Sequence, residues 1–399
     1  MWLLRGGRGS HTPAFAEDVG LGGTNVRGMT EQTSSPRRTV LTGGILVTGA
    51  SGTVGRAVVD ALAEAGETVI AGMRDPRAWI AEGARRASGT AAGQQPAGPG
   101  TARIGTARPG SKPLRAPNQK PARNPAHKPG GLPTSPPPGR TVGAADASAA
   151  ATGTTGGGGA IVRAFDFADR STWARALAGV DRVFLLVPPT IGNVGRTLIP
   201  FIDQAMEESG VRQIVFLSAP GVRFDTRSPH HVVEQYLKRT RTPHTILRPN
   251  VLMQTLSTLY RDDIRLRSEI VLPAGGARVA FVDAADVGRC AARVLTEPGH
   301  LGKSYSLAGE ESLSFPQVAE SLTEVLGRPI RYTATTEAEF AELAAKQGVT
   351  GPDIAAQASW YRAARRRLTA LPNRGIRRLT GRPATTLRGF IEDHRQTWL

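Results

Sequence analysis

One stretch near the start of the chain, GILVTGASGTVGRAVVDALAEAG, constrains the fold more than any other. The apolar run Ile45–Thr48 is typical of a parallel strand buried on both faces. After a glycine turn, Val54, Val58 and Leu62 recur at helical spacing, and Gly66 marks the helix end. Glycine turns are common, but a glycine turn directly between a buried strand and an amphipathic helix is a much more specific signal. The stretch therefore predicts a strand–turn–helix unit.

The turn of this unit has the spacing of a phosphate-binding loop. Gly49 permits a tight exit from the strand, Gly52 lets backbone amides approach a pyrophosphate, and Gly55 lets helix and strand pack closely. The amides and the positive end of the helix dipole attract phosphate charge. The alternative is a glycine turn that holds no ligand. We predict a dinucleotide site whose contacts include Gly49, Ser51, Gly52, Thr53, Val54 and Gly55.

The end of the second predicted strand bears on which dinucleotide is bound. A site selective for NAD usually places an acid there, on the ribose 2′-hydroxyl. This chain has Arg74, whose guanidinium can hold a 2′-phosphate, and its acid, Asp75, comes one residue later. NADP(H) is therefore the preferred cofactor. The alternative is NAD(H), with Arg74 solvated and Asp75 facing the ribose.

Strands and helices continue to alternate as far as residue 248. Strands are predicted at 68–73, 160–165, 182–187, 213–217 and 245–248, and helices at 172–177 (with Asp169 or Ser171 as N-cap), 194–209 and 230–239. Apolar strands separated by amphipathic helices favour a parallel sheet covered on both faces. The predicted fold class is α/β, a doubly wound parallel sheet of the Rossmann type.

Composition divides the rest of the chain. Residues 83–158 hold 12 of the 29 prolines, 15 glycines and a net charge of +9, and we predict that this insertion and the N-terminal extension 1–44 are disordered. A dinucleotide-binding domain is then expected over 45–309. From residue 310 to 399 the pattern predicts a smaller, mainly helical lobe. Its helices are predicted at 315–326, 337–346 and 354–368, with a short strand at 327–332.

Charge and cysteine content narrow the function classes. The single cysteine, Cys290, allows neither an intramolecular disulfide nor a cysteine-built metal site, and no run is long enough to span a bilayer. We expect a cytoplasmic protein with no metal and no membrane partner. Of the net charge of +17, 11 units lie in the two segments predicted as disordered. A C-terminal arginine tract lacks interleaved aromatics and favours a solvated helix face over nucleic-acid binding.

The order of several motifs resembles the atypical short-chain dehydrogenase/reductase proteins of the NmrA-like, NAD(P)H-binding group. The likeness covers most of the chain outside the predicted disorder, up to about Tyr332. The motifs are TGASGTVG, Phe165-Asp166-Phe167, Leu186-Val187-Pro188-Pro189, the strand end Phe216–Ala219, the helix segment His231–Glu234, the segment Thr245–Gln254, Phe281-Val-Asp283 with Asp286, and Tyr305–Gly309. The resemblance implies that Asp166 and Phe167 contact adenine and that Val187 and Pro188 line the nicotinamide ribose. It also implies that the C-terminal lobe, residues 310–399, sets substrate choice.

One feature departs from the wider dehydrogenase family. Its classical members carry a Tyr and a Lys four residues apart as proton donor and pKa-lowering partner. The corresponding positions here are Thr226 and His230, so only the family's substrate-orienting serine, Ser218, is present. Our catalytic candidates are Ser218 and His230. Asn250 and Met253 are the candidates for contact with the substrate.

Two functions remain open from the sequence, and isomerase or lyase chemistry is a third, weaker alternative. The first is an NADP(H)-binding oxidoreductase that transfers hydride to a small organic acceptor needing little acid catalysis, such as a quinone, a dye or an enone. The second is a non-catalytic sensor in which dinucleotide occupancy biases a protein partner. Apolar residues after the strands at 182–187 and 245–248 favour the first, because a reductase needs an apolar cleft over the nicotinamide. The alternative is that these residues belong to the ordinary core.

Overall fold

The computed structural model describes residues 43–77, 79–81, 159–189, 191–346 and 348–399, and of residues 352, 353 and 356 it describes the backbone. The predicted insertion 83–158 lies outside these residues. So does the predicted extension 1–44, except for Gly43 and Gly44, the second of which begins the first strand.

A seven-stranded parallel sheet forms the centre of the described chain. Its strands are β1 (Gly44–Thr48), β2 (Val69–Met73), β3 (Ile161–Ala164), β4 (Val180–Leu186), β5 (Gln213–Leu217), β6 (His244–Pro249) and β9 (Ser304–Leu307). They lie in the order β3-β2-β1-β4-β5-β6-β9, and every pair is parallel. This is the doubly wound order with one strand added, and it confirms the predicted fold class.

Helices cover both faces of this sheet. They are α1 (Thr53–Glu64), α2 (Trp173–Leu177), α3 (Leu198–Glu207), α4 (Pro229–Arg239), α6 (Ala284–Thr296) and α10 (Gly375–Thr380). On one face, apolar residues of α1, α6 and α10 form a buried cluster with the sheet. On the other, α2, α3 and α4 form a second cluster, which includes the fully buried Trp173 and Phe201.

A smaller lobe contains the remaining elements. They are α5 (Gln254–Ser257), β7 (Glu269–Leu272), β8 (Arg278–Val279), β10 (Leu313–Ser314), α7 (Phe315–Leu326), β11 (Arg331–Ala334), α8 (Glu337–Lys346), α9 (Gly351–Arg365) and α11 (Leu387–Asp393). The pair β7–β11 is parallel and β8–β10 is antiparallel. The lobe's apolar cluster also takes in residues 253–281, which precede the predicted boundary at residue 310.

Three predicted elements begin three or more residues away from their predicted start. The helix predicted from residue 194 begins at Leu198, because 194–197 form turns in which the Thr197 hydroxyl donates to the Asn193 carbonyl (3.0 Å). The strand predicted at 327–332 is β11, displaced toward residue 334 by the αL glycine Gly327 that ends α7. The helix predicted at 354–368 is α9, which begins earlier, at Gly351, with Thr350 as its N-cap residue. Within the described ranges, no helix is long and apolar enough to cross a membrane.

Candidate dinucleotide site

Five of the predicted site residues are the first residue after a strand. Gly49 follows β1, Arg74 follows β2, Val187 follows β4, Ser218 follows β5 and Asn250 follows β6. Because these strands are parallel, their carboxyl ends meet at one edge of the sheet. The strand order reverses between β1 and β4, which is where doubly wound sheets open a crevice for ligands.

The glycine turn is held in shape by backbone contacts. Gly49 has a φ of +62°, a left-handed conformation that disfavours a side chain. Its carbonyl oxygen accepts from the Gly52 amide at 2.9 Å, and the Ala50 amide donates to the Gly72 carbonyl of β2 at 3.2 Å. A Cβ on Gly55 would overlap the Gly49 carbonyl. Gly55 thus lets the start of α1 lie directly against the turn.

The start of α1 suits an anion. Gly52 is the N-cap residue, no side chain caps the helix, and its first turn has no acidic residue. Ser51, Gly52 and Thr53 are exposed, whereas Val54 and Gly55 are buried. A helix N-terminus with exposed amides at a glycine turn is a phosphate site in doubly wound folds. The residues present therefore fit the pyrophosphate of a dinucleotide.

The end of β2 presents arginine side chains. Arg74 is exposed, and among the described residues no hydrogen bond or ion pair engages it. The carboxylate of Asp75 accepts from the Arg77 amide at 3.0 Å, within its own turn. On the α1 side, the Arg56 guanidinium lies over the Trp79 ring, 4.1 Å from its centroid. Sequence reasoning missed this pair, because nothing in the sequence links residues 23 positions apart in this way.

The segment after β3 is more enclosed than the resemblance implies. The Asp166 carboxylate accepts from the Ala168 amide at 2.9 Å, and the Asp166 carbonyl accepts from the Trp173 indole at 2.8 Å. Phe167 is only 4% exposed, and its ring packs edge-on against Phe165, with centroids 4.7 Å apart. In this structure Phe167 belongs to the core, and Asp166 is half-buried beside it.

Half-buried apolar residues follow two of the strands beyond β1 in the sheet. Val187 and Pro188 follow β4, and Val251 and Leu252 follow β6. β1 and β4 are tied here by Thr48, whose hydroxyl donates to the Phe184 carbonyl (3.0 Å) and accepts from the Leu186 amide (3.2 Å). The end of β4, with Val187 and Pro188 after it, therefore lies beside the glycine turn.

Ser218 belongs to a buried charge network. Its hydroxyl donates to the Glu234 carboxylate at 2.6 Å, and both residues are under 5% exposed. Arg248 binds the same carboxylate through two nitrogens at 2.8 and 2.6 Å, and Lys238 donates to it at 3.3 Å. Burial alone would raise the pKa of Glu234, but the hydrogen bonds from Arg248 and Ser218 and the charges of Arg248 and Lys238 hold it below its ordinary value. The hydroxyl proton of Ser218 is thus directed at Glu234.

His230 lies one helical turn before Glu234 on α4. Its half-buried ring faces Phe216, with centroids 6.2 Å apart. Burial lowers the pKa of His230, and the charge of Glu234 only partly opposes this. His230 is therefore favoured in its neutral form. Tyr236 and Lys238 follow on the same helix, where Tyr236 donates to Asp203 and Lys238 to Glu234, so the two have separate partners.

The two substrate candidates lie where β6 meets the smaller lobe. The Asn250 side chain donates to the Thr369 carbonyl at 2.9 Å, and its own side-chain oxygen is buried with no hydrogen-bond partner among the described residues. Met253 is 2% exposed and lines a cavity of about 220 Å³ together with Phe281, Leu313 and Leu387. Of the predicted site residues, this cavity takes in Met253 alone.

One exposed aromatic residue near the site escaped the sequence reasoning. Phe224 lies in a short 3-10 helix after β5 and is 71% exposed. The Arg223 guanidinium lies 4.6 Å from its ring centroid. An exposed phenylalanine in a glycine- and proline-flanked loop has no periodic signal, and only its position after a strand marks it.

Part of the C-terminal arginine tract has structural partners. Arg362 and Arg365 both pair with Glu337, and Arg377 binds Glu310 through two nitrogens at 2.9 and 2.8 Å. These arginines therefore lie on the protein surface, where they pair with glutamates of the same chain. In the described part of the chain no group of three or more His, Cys, Asp or Glu side chains is arranged to hold a metal ion.

Comparison with known proteins places this geometry in context. The NmrA-like family matches residues 146–362, more than half of the chain, in a range that leaves the glycine turn outside. The chain is 31% identical over 240 residues to NAD(P)H azoreductase of Xenophilus azovorans, covering 57% of this chain and 80% of that protein. It is also 31% identical over 245 residues to agroclavine dehydrogenase of Claviceps fusiformis, covering 59% and 84%.

The fold also matches solved structures. One is an NADPH-dependent quinone oxidoreductase from Escherichia coli in complex with NADPH, with a TM-score of 0.62 and 20% identity. The match covers 88% of this chain and 99% of that one. At this identity the likeness concerns the fold.

Proposed function

Because the chain belongs to the NmrA-like family, we propose that it is an NADP(H)-dependent oxidoreductase that reduces a small organic acceptor such as a quinone, a dye or an enone. The observation that carries this proposal is the carboxyl edge of the sheet, where the glycine turn follows β1, Arg74 follows β2 and half-buried apolar residues follow β4. The names of the relatives, an azoreductase and a dehydrogenase, support the reaction class. A bound, reduced nicotinamide supplies a hydride, and a proton completes the reduction of the acceptor.

The preference for NADP(H) rests on the two residues after β2. Asp75 is the residue able to accept from a ribose hydroxyl, but its carboxylate already accepts from the Arg77 amide. Arg74 is exposed beside it and carries the fork of donors that suits a phosphate. This arrangement supports a contact between Arg74 and the 2′-phosphate.

The protein's side chains offer little acid catalysis, which favours acceptors that need little. Tyr236 donates to Asp203 and is unavailable as a proton donor, and its pKa is raised to about 12 by burial and by that carboxylate. His230 is held neutral by burial, and Ser218 donates its proton to Glu234. We retain Ser218 and His230 as residues that orient the acceptor. Electron-poor quinones, azo dyes and enones accept a hydride mainly through proximity and orientation.

Phe224 provides a surface for a flat acceptor. It lies after β5 at the same edge of the sheet and is 71% exposed, so its ring is accessible to a ligand. Stacking on an aromatic ring contributes beyond burial of area alone. We therefore include Phe224 in the acceptor site.

The experiment is oxidation of NADPH by the purified full chain with a panel of quinones, azo dyes and enones. We expect turnover with at least one class, and the Phe224→Ala variant should raise the KM for that acceptor about 3- to 10-fold. The matched control is Leu301→Ala, which removes an exposed apolar side chain (55% exposed) before β9, at the opposite edge. Tight NADPH binding with no acceptor reduced would favour the sensor alternative. Absence of dinucleotide binding would refute both.

A further inference from the structure

A second arginine lies on α1 against the segment that follows β2. Arg56 is the fourth residue of α1, and its amide donates to the carbonyl of the N-cap residue Gly52 at 2.9 Å. Its half-buried side chain extends to Trp79, in the segment that follows β2. The guanidinium therefore lies between the start of α1 and the residues after Arg74.

Trp79 fixes the position of this guanidinium. The indole is 5% exposed and belongs to the buried cluster that contains Val54 of α1 and Met73 of β2. The Arg56 guanidinium lies 4.1 Å from the centre of the ring, within the range of a cation–π contact. A side chain held in this way loses little conformational freedom when it binds a ligand.

The place where Arg56 is held corresponds to the adenosine end of the crevice. The Ala50 amide donates to the Gly72 carbonyl, so the glycine turn and the end of β2 are directly joined. In a doubly wound fold the ribose next to adenine lies at the end of this second strand. The acids nearby are Asp75, which is engaged by the Arg77 amide, and the exposed Asp60, one turn further along α1.

We propose that Arg56, held on Trp79, is a second cation for the 2′-phosphate of NADP(H), so that Arg56 and Arg74 together set the preference over NAD(H). The inference rests on the proposed cofactor and adds a specificity-determining residue and its support. Arg56 is suited to the task because its planar fork can donate two hydrogen bonds to a phosphate while its face stays on the indole.

The test is calorimetric titration of the full chain with 2′,5′-ADP and with 5′-AMP, two fragments that differ only in the 2′-phosphate. Arg56→Met should weaken 2′,5′-ADP about 10- to 100-fold and leave 5′-AMP within about twofold. Arg56→Lys, which keeps the charge and loses the fork, should give a smaller loss of the same selectivity. Trp79→Phe should weaken 2′,5′-ADP about two- to fivefold, because the smaller ring holds the guanidinium less firmly.

The matched control is Arg223→Met, which removes the cation of another arginine–aromatic pair, after a strand three positions away from β2 in the sheet. It should change neither affinity. If Arg56→Met weakens both fragments equally, or neither, the inference is wrong. If the selectivity depends on Arg74→Met alone, the proposed cofactor stands and the role of Arg56 falls. If the wild-type chain binds neither fragment, the proposed cofactor falls as well.

Discussion

Two arginines, one at the amino ends of the parallel strands (the amino edge) and one at their carboxyl ends (the carboxyl edge), differ in their partners. At the amino edge, Arg182 is 2% exposed and donates to Asp181, Glu67 and the carbonyls of Gly43 and Leu295. At the carboxyl edge, Arg74 is exposed, and the described residues supply it with no ion pair. The same kind of side chain is structural at one edge and open to a ligand at the other.

The amino edge is closed by side chains that replace missing backbone partners. The last turn of α6 leaves carbonyls without helical donors. Arg182 donates to the Leu295 carbonyl at 3.1 Å, and Gln213 donates to the Val294 carbonyl at 2.8 Å. Buried polar groups here are paired within the protein.

At the carboxyl edge, a buried and paired charge network lies at β5, α4 and β6, away from the glycine turn. The network of Ser218, Glu234 and Arg248 is buried and paired, whereas the amides at the start of α1 have no side-chain cap. Among the described residues at this edge, the uncapped amides of α1 lie at the switch point between β1 and β4, and the exposed Arg74 lies at the end of β2. Donors at these two places are available to an anionic ligand.

The largest effect on stability should come from removing the buried ion pairs of Arg182 at the amino edge. Arg182→Met leaves Asp181 and Glu67 without their buried partner, and we expect a loss of about 3–5 kcal/mol in the free energy of unfolding. NADPH affinity of the folded fraction should be unchanged. Denaturant unfolding and NADPH titration measure the two quantities.

The control for this variant is Arg212→Met. Arg212 binds the same Asp181 at 3.1 Å, but its side chain is 45% exposed. We expect a loss under about 1 kcal/mol, because solvent screens exposed ion pairs. Equal losses for the two variants would contradict the account of a closed, buried amino edge.

The next largest effect should come from the glycine turn. In Gly55→Ala the new methyl group overlaps the Gly49 carbonyl, so we expect the free energy of unfolding to fall by about 1–3 kcal/mol and NADPH binding to be lost. In Gly52→Ala the nearest atom to the new methyl group is the Gly49 carbonyl oxygen, at 3.3 Å. That variant should keep its stability within about 0.5 kcal/mol and lose roughly tenfold in NADPH affinity.

Thermal unfolding and NADPH titration of the two glycine variants provide the measurement. Both variants remove a glycine from the same turn, so the pair separates packing from ligand access. If Gly52→Ala bound NADPH as well as the wild type, the turn would not be the phosphate site.

The smallest effect concerns pH. Burial lowers the pKa of His230 below its ordinary value of 6.5, so the neutral ring is the form that the fold favours. Its contribution to stability is present above pH 6.5 and is lost as the pH falls through the folded and unfolded pKa values. His230→Gln should therefore lose less stability than the wild type between pH 7.5 and about 5.5. Parallel pH dependence of the two proteins would remove His230 as a titrating group in this range.

The sheet could be predicted from the sequence where its signals are local. β1, β2 and β5 are apolar runs next to periodic helices, and the structure reproduces them within a residue. β9 was not predicted, because the alternating polar sequence of Ser304–Leu307 is an edge strand without a buried run. α6 also was not recognised as a helix, although it packs on α1 in the core.

In the candidate site, too, the features that could be predicted are those formed by consecutive residues. The glycine turn was predictable because strand, turn and helix are consecutive. The Ser218–Glu234–Arg248 network was not, since its members come from β5, α4 and β6 and meet only in the folded chain. The pairing of Arg56 with Trp79 likewise depends on two segments that β2 brings together.

Hydrogen–deuterium exchange of the full chain with and without saturating NADPH tests the central claim most directly. We predict slower exchange in peptides covering residues 48–56 and 72–77, at the carboxyl edge. Peptides covering 180–183 and 293–297, at the amino edge, should exchange at the same rate in both states. Slowed exchange at the amino edge with none at the glycine turn, or no NADPH binding at all, would contradict the account.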